Sequence, residues 1–231
     1  HLTEAGATEA AIAAWLQAGM RSLQQSANTE AIGQLQRGLD LLEELGDAPS
    51  RMPLEVGLLS ALGPAYMATR GFAAPVLAPM YARLNTLCQQ LGDVPEFMWA
   101  ARGVWVYYNV RADLDEALKL AERCMRLAER ANVAEIVMEA TYTLACAHHF
   151  RGEFTQARPH FEAILSLDRP DRDHSTTMYT AMDVVATTCG LMSHTLWALG
   201  DTDAAFAQAR RGIAVATELN HSLSHAFALY H

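Results

Sequence analysis

Lysine is almost missing from this 231-residue chain: Lys119 is the only one, and arginine supplies the rest of the positive charge. Acids outnumber bases 26 to 17, giving a net charge of −9. A surface of that sign repels nucleic-acid phosphates and anionic lipid, so neither a nucleic-acid nor a membrane partner is expected. No apolar run reaches the roughly 18 residues of a membrane-crossing helix, and no basic-then-apolar leader opens the chain. Cysteine is scarce: Cys88, Cys124, Cys146 and Cys189 stand far apart, each within apolar helical sequence. With no CxxC pair, a zinc ribbon or thioredoxin-type motif is excluded. The four thiols read as small buried hydrophobes in a reducing, cytoplasmic compartment. The phosphate loop GxxxxGK(S/T), the GxSxG elbow and the GxGxxG fingerprint are all absent. Neither catalysis nor a cofactor is expected.

Half of the residues are apolar, with alanine prominent, and aromatics make up only 8%. That mixture favours packed helices, because strands draw on β-branched and aromatic side chains. One phrase recurs: "SANTEAIGQLQRGLDLLEELGD" from Ser26, "RGFAAPVLAPMYARLNTLCQQLGD" from Arg70, "RADLDEALKLAERCMRLAERAN" from Arg111, "RGEFTQARPHFEAILSL" from Arg151 and "LGDTDAAFAQARRGIAVATELN" from Leu199. Its turn-forming openers are Ser26, Gly71, Ala112, Gly152 and Gly200, separated by 45, 41, 40 and 48 residues. Five positions later come Ala31, Val76, Ala117, Ala157 and Ala205.

Each unit has a legible physics. Early acids such as Asp115, Glu116 and Glu153 suit the positive end of a helix dipole. Apolar residues then recur at three and four, as in Leu114, Ala117, Leu118, Ala121, Cys124, Met125 and Ala128. The helix stops at "LGD" (Leu45–Asp47, Leu91–Asp93) or "LN" (Leu219, Asn220), where Gly or Asn takes a left-handed cap. A second set of helices lies between, at Met52–Thr69, Glu96–Val110, Ala134–Arg151 and Met182–Leu199. The unit is helix–turn–helix, repeated, and the fold class is all-α.

These phrases resemble tetratricopeptide (TPR) repeats. "YTLACAHHFRGEFTQARPHF" carries Ala145, Gly152, Ala157 and Phe161 at the expected places, and "GVWVYYNVRADLDEALKLA" carries Tyr108, Ala117 and Ala121. Two residues depart from the pattern: Trp105 and Pro64 stand where a small residue is usual. The spacing also exceeds the usual repeat of about 34 residues. The longer repeats, "LCQQLGD" and the opening fifty residues look like the C-terminal tail of bacterial signalling proteins. In that class a cyclase-like or DNA-binding output domain is joined to a nucleotide-switch (STAND) ATPase. The resemblance implies a right-handed superhelix of antiparallel helix pairs, a TPR-like α-solenoid. The pairs would span about 1–47, 51–92, 94–131, 133–168 and 176–220, with another starting at 222–231. The chain begins at His1 and stops at His231 inside an apparent helix, so it reads as a piece of a longer protein.

By family position, the concave groove is lined thirteen, ten, six and three residues before each turn. That places Leu58, Ala61, Ala65 and Ala68 in the first set, then Trp99, Arg102, Val106 and Asn109. Glu139, Tyr142, Cys146 and His149 follow, then Thr187, Gly190, His194 and Trp197. The candidates for ligand contact are Trp99, Arg102, Asn109, Glu139, Tyr142, His149, His194 and Trp197, since aromatics beside an arginine make binding hot spots. The alternative is that Trp99, Tyr142 and Trp197 pack against neighbouring helices.

Other sites carry less. His221 and His225 are four apart on a helix, but no third ligand is evident and no metal is expected. His148 and His149 point to different sides, one packed and one in the groove. "LDRPDRDHS", Leu167–Ser175, reads as a loop whose arginines balance its acids. Pro159 is expected either to fall within the first turn or two of its helix or to bend it. The resulting expectation is a non-catalytic interaction and ligand-sensing domain of a multidomain bacterial regulator. Its partner would be a protein or peptide, or the regulator's own ATPase or output domain. A stand-alone scaffold for a partner peptide is the alternative, and a helical metal-dependent enzyme using His221, His225 and the Asp168–Asp173 acids is a third. Exposed solenoid ends would also permit a homodimer.

Overall fold

The computed structural model describes residues 2–92, 97–169 and 180–231. Among these residues every regular element is helical. The chain runs through α1 (Leu2–Gln24) and α2 (Asn28–Leu41), which ends in a 3-10 turn (Leu42–Leu45). It continues through α3 (Arg51–Arg70), α4 (Leu77–Leu91), α5 (Met98–Val110), α6 (Leu114–Ala131), α7 (Ala134–Phe150) and α8 (Phe154–Leu167). After the described residues resume come α9 (Val184–Ala198), α10 (Thr202–Glu218) and α11 (Ser222–Tyr230). None of these helices is long and apolar enough to cross a membrane.

The turn within each hairpin is set by its opener. Ser26, Gly71, Ala112, Gly152 and Gly200 all have positive φ, between 58° and 87°. At four of them the same pair of bonds closes the preceding helix. At Gly152, for example, its N–H donates to the His149 carbonyl at 2.9 Å and the next N–H, of Glu153, to His148 at 2.9 Å. This is the Schellman closure, which uses carbonyls that a helix end otherwise leaves unpaired. Ser26 and Ala112 adopt the left-handed region despite their Cβ, so the turn is imposed by packing rather than by glycine's freedom. Pro159 sits in the second turn of α8, which continues unbroken to Leu167.

Packing follows the repeat. Ala31, Ala117, Ala157 and Ala205 are buried; four residues further on Leu35, Ala121 and Phe161 are buried too, as is Met80 four after the half-buried Val76. Each second helix packs on its own first helix and on the first helix of the next hairpin, as α6 does on α5 and α7. The first helices also touch one another in series: α1 on α3, α3 on α5, α5 on α7, α7 on α9, α9 on α11. One apolar core therefore runs from Ile12 in α1 to Ala205 in α10, and the first helices form the inner layer of the curve. Tyr81 of α4 fixes the spacing within it. Its ring is buried in a notch between Gly63 of α3 and Gly103 of α5, and a Cβ built at Gly103 would lie 2.7 Å from Tyr81 Cε1.

That contact yields a test. In an open helix, Gly→Ala gains about 1 kcal/mol of propensity, whereas overpacking costs about 1–3 kcal/mol. Gly103→Ala is expected to lower the denaturant midpoint, and Gly103→Ala combined with Tyr81→Leu to recover much of the loss. A stabilised single variant would show that the notch is not close-packed.

Candidate functional site

The inner layer carries a partly open hollow of about 210 Å³ where α5, α7, α9 and α11 converge. On α5, Arg102, Trp105, Val106, Asn109 and Val110 fall at helical three–one–three–one spacing, so one face supplies them all. On α7, Tyr142, Cys146 and Phe150 follow at intervals of four. Leu191 of α9 and Phe227 of α11 face them, and Phe72 comes from the turn before α4. The remaining wall is Thr180 and Met182, on the approach to α9.

This approach is held tightly. The Asp183 side chain accepts hydrogen bonds from the Val185 and Ala186 amides at the start of α9, and its own N–H donates to Ser224 Oγ of α11 at 2.8 Å. Ala181 between them is buried with φ +66°, a left-handed conformation that an L residue adopts at a cost of about 1–2 kcal/mol. Beyond it lies a wider, more polar cleft of about 480 Å³, between Ser26, Asn28, Pro64 and Ala68 on one side and Asn220 and His221 on the other. The short stretch Thr180–Met182 thus separates two hollows on the inner surface.

Electrostatically the cavity is balanced. Arg102 Nε lies 3.6 Å from Glu139 Oε2, with side chains 7% and 1% exposed. The guanidinium also lies 6.0 Å from the ring centres of Trp105 and Tyr142, at the outer reach of a cation–π contact. Burial pushes the Cys146 thiol up to about 12 and raises the Tyr142 phenol well above its ordinary value, so both are neutral. Three polar atoms of cavity-lining residues, Arg102 Nε, Trp105 Nε1 and Asn109 Oδ1, are buried without a hydrogen-bond partner, and none of them is accessible from the hollow.

Of the residues singled out by family position, Arg102, Asn109 and Tyr142 line the cavity, as do Val106 and Cys146. Glu139 lies beside it as the partner of Arg102. His149 shares a 2.8 Å hydrogen bond with Thr195 Oγ1 and stacks on His194, whose ring centre is 6.5 Å away. His194 in turn meets His231 at 4.5 Å. Trp99 packs toward Cys124 and Leu127 in a separate apolar cluster, while Trp197 stands 70% exposed. Leu58, Ala61 and Ala65 are core residues, and Ala68 faces the polar cleft. Phe72, Trp105, Met182 and Phe227 were not among the sequence candidates. Only Trp105 carried a signal, its bulk at a position usually small.

Several other residues singled out in the sequence are engaged locally. His221 Nδ1 accepts from the Ser224 amide and caps α11. His148 bonds Glu153 at 2.7 Å and stacks on His160. Asp168 pairs with Arg211 at 2.9 Å, while Asp171 and Asp173 lie outside the described residues. No three metal-ligating side chains converge among the described residues. All four cysteines are buried, and burial holds the Cys88 and Cys189 thiols up at about 11 and Cys124 at about 12.

Solved structures share this architecture. The chain superposes on a Rap protein complexed with competence and sporulation factor (TM-score 0.64, 14% identity, 91% of this chain and 55% of that one). It also matches a thermophilic TPR protein of Thermus thermophilus (TM-score 0.62, 14% identity, 96% and 100%). A third match is the Rap conjugation gene regulator of plasmid pLS20 in complex with a Phr peptide (TM-score 0.60, 15% identity, 94% and 57%). The fold is a TPR-like α-solenoid. No family model matches the sequence. An uncharacterized protein of Rhizobium meliloti (strain 1021) is 26% identical over 99% of this chain, which spans only 22% of that relative's length.

Two outcomes follow. Removing one member of a buried ion pair strands the other at a cost of about 3–5 kcal/mol, whereas an apolar replacement of both is near neutral. Glu139→Ala is therefore expected to destabilise strongly in urea titrations, and Arg102→Met with Glu139→Leu to cost far less. Burial, and then the neighbouring His194, hold His149 and His231 down at about 4. The unfolded chain protonates both near 6.5, so stability is full above that pH and falls as the pH drops toward 4. Thermal melts between pH 7.5 and 5 should show the loss, smaller in His149→Gln. A flat profile would contradict it.

Proposed function

We propose that this chain is a non-catalytic recognition domain that holds an extended segment of a protein partner along its inner surface. The observation that carries this reading is the apolar-lined recess on the first-helix layer, where one face of α5 and one face of α7 stand side by side with Leu191 and Phe227 opposite. Of the two Rap structures that share the fold, one is complexed with competence and sporulation factor and the other with a Phr peptide, which supports a peptide-sized occupant. In this reading the chain works as a cytoplasmic sensor within a longer regulator of the cyclase-linked or transcriptional ATPase class. The much longer Rhizobium meliloti relative supports that setting. Occupancy of the cavity would alter the curvature of the stack and so bias the attached output, because each hairpin touches only its neighbours. A pure scaffold would bind in the same place without that transmission.

Selection of linear peptides from a random display library on the immobilised chain tests the binding step. Enriched peptides are expected to lose at least about tenfold in affinity, roughly 1.4 kcal/mol, when Val106→Trp fills the cavity. Peptides that bind the variant equally well, or no enrichment at all, would defeat the proposal. Hydrogen exchange on the bound complex separates the two modes, since a scaffold protects the cavity alone and a sensor also changes protection in α1 and α11.

A further inference from the structure

We propose that the edge of the stack carrying Arg70 and Arg111 binds carboxylate side chains of the partner, so that the recognised segment bears acids about three residues apart. The inference rests on the recognition reading above and names the chemistry of the partner.

The repeat supplies an internal comparison. Arg70, Arg111 and Arg151 each stand immediately before a hairpin opener, so successive turns present an arginine at the same place. The last of them shows what that place accepts: Arg151 donates to Glu153 Oε1 at 2.9 Å and to Asp115 of the preceding hairpin. The other two are held differently. The Arg70 guanidinium lies 4.9 Å from the ring centre of Tyr66, and that of Arg111 lies 5.3 Å from Tyr107, each tyrosine four residues earlier. Both arginines are exposed, and among the described residues neither meets a carboxylate. The places that correspond to Asp115 and Glu153 are Thr29 and Phe72 for Arg70, and Ala74 and Asp113 for Arg111. Asp113 makes no ion pair with Arg111. A ring face uses none of the five N–H donors of a guanidinium. Each tyrosine therefore orders the planar fork and leaves it open to a bidentate acceptor.

Local charge selects an anion at this edge. Acids outnumber bases in the whole chain, yet from Val56 to Gly92 there is no Asp or Glu. The other charge in that stretch, Arg83, is already held by Glu55 at 2.7 Å. Arg70 is thus a cation without compensation inside an acid-free hairpin. The net charge of −9 opposes a long polyanion such as nucleic acid, whereas a protein segment with a pair of carboxylates brings negative charge only where the arginines stand. Position ties the edge to the recess. Phe72, Asn109 and Val110 line the recess, and Arg70 and Arg111 stand beside them in the chain, so the two arginines flank its rim. The inner helices α3 and α5 pack directly on each other. Helices in contact lie about 8–10 Å apart, which is roughly three residues of extended chain.

A defined probe tests this without knowledge of the partner. The blocked peptide acetyl-Glu-Leu-Leu-Glu-amide is titrated into the chain while the Gly71 and Ala112 amide signals, next to the two arginines, are followed in a nitrogen–proton correlation spectrum. Both are expected to move saturably. An exposed pair is worth about threefold in affinity, so the Gln-Leu-Leu-Gln counterpart should bind about tenfold more weakly. Arg70→Gln with Arg111→Gln should cost the glutamate peptide the same factor, and both side chains are exposed, so the variant keeps the fold. Arg70→Lys with Arg111→Lys keeps the charge but loses the fork, and should recover only part of the affinity. The advantage of the glutamate peptide should shrink as salt rises from about 50 to 500 mM. Equal binding of both peptides, or no loss in the glutamine variant, would overturn the acid-binding edge. So would inorganic phosphate moving the two signals as strongly at matched ionic strength, since the edge would then be a phosphate site. If peptides selected from the display library depend on Val106 but carry no excess of acids and bind the glutamine variant unchanged, this inference fails and the recognition reading stands. If the glutamate peptide needs both arginines while no library peptide depends on Val106, the edge stands and the recognition reading fails.

Discussion

A hairpin of two amphipathic helices has more apolar surface than it can cover by itself, and every other feature of this molecule answers to that shortage. Each hairpin completes its burial on the next, so the core is shared along the chain from Ile12 to Ala205 and has no centre. Such an arrangement needs neighbouring inner helices to approach at a fixed distance. Here the distance is set where Tyr81 enters the notch between Gly63 and Gly103, two glycines on consecutive inner helices. With the inner layer fixed in this way, one face of α5 and one face of α7 are presented side by side, and the cavity lies between them.

The inner surface is not a smooth trough. Most of what lines it is packed side chain, with Arg102 and Glu139 buried as a pair and Tyr142 only 6% exposed. The recessed volume is concentrated in two hollows divided by Thr180–Met182. Among the described residues the most exposed aromatics are Tyr230 of α11 and Trp197 and Phe206 around the α9–α10 turn, while Phe150 exposes part of its ring at the cavity.

Much of the fold is legible in the sequence because it follows from local rules. Ser26, Gly71, Ala112, Gly152 and Gly200 announce the hairpin turns, and all five have positive φ. Leu114 to Ala128 announces the buried stripe of α6 by spacing alone, and Asn132 takes its left-handed cap. The site was legible only in part. Arg102, Asn109 and Tyr142 follow from helical register, whereas Trp99 lies in the first turn of α5 and turns toward α6 and α7. Phe72, Met182 and Phe227 stand at least 30 residues from the α5 and α7 side chains that share the cavity with them, and nothing in a repeat pattern says which connection will cross the hollow. The two residues that broke the pattern, Trp105 and Pro64, each border one of the two hollows. A side chain too large for its place in a repeat marks where the stack leaves its regular form.

The hydrogen bond from Asp183 to Ser224 has a mechanical consequence. Met182, on the cavity wall, is adjacent to a residue that caps α9 and grips the first turn of α11 at once. Whatever leans on Met182 from inside strains both helix starts together, and the nine-residue α11 is the lighter body to tilt. A displacement of Met182 would therefore be felt at the starts of both α9 and α11, and the left-handed Ala181 lies next to it in the chain.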